Sequence, residues 1–97
     1  MDKLQVAKTI LFQMGGANRL STMIGARYFA GGENNLTFQF RGSKIANLIR
    51  ITLKPSDTYT MEFFKTRGCD CKKVSEDEMI YCDMLRDVFE MSTGLAI

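Results

Sequence analysis

Apolar residues along this chain recur at two different spacings, and the switch between them marks out the elements. Leu4, Ala7, Ile10, Leu11 and Met14 fall on one face at helical spacing, with Lys3, Thr9 and Gln13 elsewhere on the wheel. That pattern predicts a half-buried helix ended at Gly15-Gly16, where glycine can take a left-handed cap. Asn18 is placed to cap a second, short helix that runs to Ile24 and breaks at Gly25. From residue 36 the period drops to two. Leu36, Phe38 and Phe40 alternate with Thr37, Gln39 and Arg41, and Ile49, Ile51 and Leu53 alternate with Arg50 and Thr52. Tyr59, Met61 and Phe63 alternate in turn with Thr60 and Glu62. Each run predicts a strand with a single apolar face.

The punctuation agrees with these periods. "GGEN", "RGSK" and "KPSD" are turn material, with Pro55 preset for the last of them. Arg27-Tyr28-Phe29 reads as a short strand paired with the 36–40 run. "KTRGCDCKK" (65–73) reads as the end of one strand, a turn, and a further strand from Cys69 to Val74. Ser75 and Glu78 have capping-box spacing, which predicts a last helix beginning there. Tyr81, Met84, Leu85, Val88 and Phe89 share one face of that helix, opposite Asp83, Arg86, Asp87 and Glu90, and Gly94 stands at its stop. The strand faces carrying Phe38, Phe40, Ile51 and Phe63 need cover, each side chain gaining roughly 1.5–3 kcal/mol on burial. Only the two main helices can supply it. The expected fold is a two-layer α+β domain spanning 1–97, in the order α-α-β-β-β-β-α. Its antiparallel meander of three to five strands is covered on one face by an N-terminal and a C-terminal helix.

Composition narrows the chemistry. The chain has 97 residues, 45% hydrophobic and 25% charged, which suits one ordinary globular domain. No apolar run approaches the roughly 18–20 residues of a membrane helix, and the N-terminal stretch has no signal-peptide pattern. Three cysteines and seven methionines fit a reducing compartment with free thiols. The expectation is therefore a cytoplasmic protein without a membrane partner. Histidine is absent, which removes Ser-His-Asp and Cys-His nucleophiles and every His-containing zinc site. Cys69, Cys71 and Cys82 offer three sulfurs where a structural zinc wants four ligands, and Asp70 points to the other face of a strand. Cys82 reads as a core-facing residue of the last helix. Thioredoxin-like chemistry uses C-x-x-C, which this chain lacks. The acids Glu76, Asp77, Glu78, Asp83, Asp87 and Glu90 suit a helix start and a solvated face, with no acid–base pairing. No metal, no cofactor and no enzyme activity are expected.

Charge is uneven along the chain. Residues 1–54 hold eight basic side chains against two acids, and residues 55–97 hold five against nine. Arg27, Arg41, Lys44, Arg50, Lys65, Arg67, Lys72 and Lys73 could form a patch that grips a phosphodiester backbone. Tyr28, Tyr59 and Phe64 are candidate stacking groups for bases. Glu62 is expected on the same exposed strand face as Arg50 and Thr52, which dilutes the charge there.

Several segments carry a resemblance. "ILFQMGG" (10–16), "MIGARYFAGGENNLTFQF" (23–40), "IRITLKPSDTYTMEFFKTRG" (49–68) and "MLRDVFEMSTGL" (84–95) resemble, in order, an uncharacterised group of short phage and prophage proteins. The likeness covers nearly the whole chain and brings no active site with it. It implies a small accessory protein made in the cytoplasm of a bacterial host. The shared pattern does not depend on cysteines, so "CDC" is a local departure. Two functional classes follow. One is a nucleic-acid-binding accessory protein acting through the basic residues. The other is a protein-binding inhibitor or adaptor aimed at a host or defence (anti-CRISPR-like) complex, and either class admits a homodimer formed through a sheet edge.

Overall fold

The computed structural model describes residues 5–95, so Lys3 and Leu4 of the predicted first helix lie outside the described residues. Helix α1 covers Gln5–Gln13 and buries Ala7 and Ile10, with Met14 buried just beyond it. Gly15 and Gly16 then turn the chain at φ 114° and 89°, values that favour glycine. The turn is tight enough that α2 (Ala17–Ile24) begins at once, with Gly16 as its N-cap and no side-chain capping bond. Asn18 is thus an exposed residue of the first helical turn and not the cap. Gly25 does take the left-handed C-cap, and N–H groups of the cap reach the carbonyls of Leu20 and Ser21.

Five strands follow: β1 (Arg27–Gly31), β2 (Asn35–Gln39), β3 (Leu48–Leu53), β4 (Tyr59–Arg67) and β5 (Asp70–Ile80). They lie in chain order in one antiparallel sheet, each paired with the next, which is an uninterrupted meander. The period-two readings therefore hold, and the short 27–29 strand extends to Gly31. One face of the sheet presents Leu36, Phe38, Ile49, Ile51, Tyr59, Met61 and Phe63 to the helices, all buried. α1 packs on β2, and α3 (Leu85–Thr93) packs on β5. Phe89 of α3 ties the two sides together, its ring centroid lying 5.1 Å from Phe40 and 6.2 Å from Phe63. The fold is the expected mixed α+β arrangement, with a helix from each end of the chain and a sheet of five strands.

The C-terminal third departs from expectation. Ser75 and Glu78 do not open a helix. They belong to β5, an 11-residue strand in which Ser75 stands opposite Phe63 and Glu76 opposite Glu62. A capping box satisfies two backbone donors, whereas pairing with β4 gives bonds along the whole segment. The ladder wins. Two irregularities, at Phe63/Phe64 and Tyr59/Met61, absorb extra residues of β5 and keep its buried end, Ile80, opposite Tyr59. The helix begins only at Leu85, after a 3₁₀ turn over Cys82–Met84. Of the residues assigned to its apolar face, Leu85 and Phe89 are buried and Val88 packs against the core, while Tyr81 and Met84 are exposed. Cys82, expected in the core, is exposed on that turn.

Candidate functional site at the basic end of the sheet

Antiparallel register aligns one residue from each strand into a transverse row: Arg27, Gln39, Leu48, Phe64 and Lys73. At about 4.8 Å per strand the row is roughly 19 Å wide. Everything beyond this row is one end of the sheet, and most of the candidate cations collect there. Arg41 and Lys44 lie in the 40–47 connection that leaves the end of β2. Lys65 and Arg67 lie at the end of β4, and Lys72, the third residue of β5, stands opposite Lys65. Residues from distant parts of the sequence thus share one edge of the molecule, because a meander returns its chain to the same end with every second strand. The carboxylate in this hairpin beyond the row is Asp70, opposite Arg67.

The β4–β5 hairpin outruns the rest of the sheet. β3 starts at Leu48, opposite Phe64, so Lys65–Lys72 form a two-stranded ribbon without a third strand. With about 3.3 Å per residue, Gly68 stands roughly 13 Å past the row. Gly68 takes φ 63° at the first position of the two-residue turn Gly68-Cys69, where glycine is favoured. Asn47 steadies the base of the ribbon. Its Nδ2 donates to the Thr66 carbonyl at 3.0 Å, and its Oδ1 accepts from the Thr66 N–H at 2.8 Å and hydroxyl at 3.1 Å. The 40–47 connection is anchored as well. The Arg41 N–H donates to the Ile24 carbonyl at 2.8 Å, and the Ser43 hydroxyl donates to the Thr93 carbonyl at 2.9 Å.

Charge pairing divides the candidates into two sets. Lys73 Nζ lies 2.7 Å from Glu76 and 3.2 Å from Glu62, and Arg50 lies 3.9 Å from the same Glu62. The hydrogen bonds to Glu76 and then to Glu62 raise the Lys73 pKa above its ordinary value. Arg50 also lies over the Phe64 ring at 5.4 Å. These two cations are balanced within the solvent face of the sheet, as the placement of Glu62 predicted. In contrast, no ion pair among the described residues engages Arg27, Arg41, Lys44, Lys65, Arg67 or Lys72.

The aromatic candidates also separate. Tyr59 is buried beside Ile80 and has no ring face to offer; burial first, then the nearby Cys82, pushes its phenol pKa up. Phe64 is half-buried beneath Arg50. Tyr28 is 69% exposed, sits at φ 59° within the irregular stretch of β1, and has the Arg27 guanidinium 5.2 Å above its ring. A positive φ is costly for a bulky residue. The basic end therefore presents the open Tyr28 ring beside Arg27, together with five more cations that, like Arg27, form no ion pair among the described residues.

Cys69 and Cys71 are exposed on the ribbon and Cys82 is exposed far along the chain. Among the described residues, no group of three His, Cys, Asp or Glu side chains comes together to hold a metal. No helix of the described residues is long and apolar enough to cross a membrane. Sequence reasoning found the cations and the turn at Gly68 but missed Asn47 and the extension of the hairpin past β3, which depends on where β3 begins. No protein-family model matches the chain, and neither a curated protein nor a solved structure does.

Proposed function

We propose that this chain is a non-enzymatic binding module that grips a nucleic-acid backbone with the basic end of its sheet. The observation that carries the reading is the convergence of Arg27, Arg41, Lys44, Lys65, Arg67 and Lys72 at one end, outside any ion pair of the described residues. Neutralising phosphates with such side chains releases counterions and dominates affinity. A two-stranded ribbon has the cross-section that a DNA major groove admits, and the exposed Tyr28 ring adds a surface on which an unpaired base can stack. In this reading the protein serves as a phage or prophage accessory factor in the cytoplasm of a bacterial host, the context its motif resemblance implies.

The test is fluorescence anisotropy with short double- and single-stranded DNA and RNA over a range of salt. Engagement of four to six phosphates predicts a loss of about 10²–10³-fold in affinity between 50 and 200 mM salt. Absence of binding at the low-salt end would sink the reading. A second reading, a protein-binding inhibitor or adaptor aimed at a host or defence complex, draws on a different surface. Met79, Tyr81 and Met84 are exposed where β5 gives way to the 3₁₀ turn, and Met91 is exposed on α3. Adaptable methionines suit protein contacts. A complex that survives nuclease treatment and loses its partner on Tyr81→Ala, but not on Arg67→Ala, would favour it.

A further inference from the structure

β5 is an edge strand: among the described residues it pairs with β4 on one side, and no strand covers the other. Eleven residues of open edge are a template for another strand, and sheet edges of this length are normally blunted or paired. Past Asp70 at the turn, the charges along this edge are sorted by sign. Lys72 and Lys73 precede Val74-Ser75, and Glu76, Asp77 and Glu78 follow.

The sorting acquires meaning from the faces of the strand. Lys73 and Glu76 stand opposite Phe64 and Glu62, two positions of β4 on its solvent face, and they touch each other at 2.7 Å. Lys72 and Asp77 stand opposite Lys65 and Met61, on the helix-covered face, where Asp77 accepts a hydrogen bond from Ser92 of α3. In a regular strand, residues three apart point to opposite faces. The irregularity at Phe63/Phe64 takes up Val74 and brings Lys73 and Glu76 to the same one.

We propose that β5 pairs antiparallel with β5 of a second copy of the chain, about a two-fold axis between Val74 and Ser75. In that register Lys73 faces Glu76 of the second copy on the solvent side, and Lys72 faces Asp77 on the helix side. Both contacts occur twice, as a two-fold interface requires. Moving the axis by half a residue sets Lys72 against Glu76, or Lys73 against Asp77, on opposite faces, so neither adjacent register matches charge and face together. The product is a continuous ten-stranded sheet whose basic ends point in opposite directions. Opposite charges across paired strands favour the arrangement, and like charges would oppose it.

The proposal shares Lys72 with the basic end but needs no bound nucleic acid, and sedimentation of the full chain freed of nucleic acid tests it. The wild-type chain sediments as two chains. The double reversals K72E/K73E and E76K/D77K each sediment as one, because each sets like charges across the axis, and mixing the two variants restores the two-chain species. Lys73 also holds Glu62 within the chain, so thermal melting accompanies each variant. Val74→Asp supplies an independent arm. Val74 is 40% exposed beside the axis, and its replacement places two carboxylates together there and yields a folded single chain. A wild-type protein that sediments as one chain at every concentration overturns the proposal. So does a folded Val74→Asp protein that still sediments as two.

Discussion

One strand, β4, belongs to two ladders of opposite character. Against β3 it makes six consecutive pairs, from Leu48↔Phe64 to Leu53↔Tyr59, without a register shift. Against β5 it shifts register twice and then runs on past the sheet. The first ladder lies under the helices and contributes Ile49, Ile51, Met61 and Phe63 to the core. The second ends in a ribbon whose residues 67–72 are all exposed and half of whose eight residues are charged. The contrast teaches that packing and contact are divided along a single strand, with the changeover at Phe64. Residues before it hold the molecule together, and those after it lie outside the core.

The division is open to attack at each end. Phe63→Ala empties a fully buried ring site beside Phe89 and should cost about 3–5 kcal/mol, read as a lower urea midpoint for the whole chain. A loss confined to the hairpin would contradict the assignment of Phe63 to the common core. Asn47→Ala strips three hydrogen bonds from Thr66 and should cost about 1–3 kcal/mol. Its effect should concentrate in the ribbon, with amide exchange accelerated at residues 65–72 and unchanged in β3.

Tyr59 tests the same boundary through pH. Burial raises its folded pKa above the ordinary phenol value of 10.0, so the fold favours the neutral form. That contribution is complete below pH 10.0 and is lost as pH rises through the higher folded value. The wild-type melting temperature should therefore fall more steeply above that pH than that of Tyr59→Phe. Equal slopes would place Tyr59 in a wetter site than the core.

The smallest change in stability belongs to the ribbon. Lys65 and Lys72 are like charges directly opposite each other, so Lys72→Ala should shift stability by about 0.5 kcal/mol or less, toward greater stability if at all. If Lys72 contacts a phosphate, the same change should reduce the salt slope of nucleic-acid binding by about 1. Stability that moved by several kcal/mol would show the ribbon to be part of the core.

Legibility in the sequence follows burial. The runs at 36–40, 49–53 and 59–63 are half-buried strands, and an apolar face alternating with a polar one is the signature of that environment. The first half of β5 has neither face buried, so its residues carry no alternation to read. A local cue, Ser75 followed by Glu78, then resembles a helix start. The same blindness affected Cys82 and Tyr81, assigned to the face of an α-helix that begins only at Leu85.

The sequence by itself determined the inventory: which segments carry an apolar face, where glycines break the helices, that histidine chemistry is absent, and which cations exist. Tertiary structure decided their company. Arg27, Arg41 and Lys44 stand with Lys65, Arg67 and Lys72 only because five antiparallel strands pair in chain order and bring those positions to one end. Arg50 and Lys73 leave that set only because β4 places Glu62 between them. A side chain's charge is a local property of the residue. Whether that charge is already matched depends on which strand lies next to it, and that is set by pairing between segments far apart in the chain.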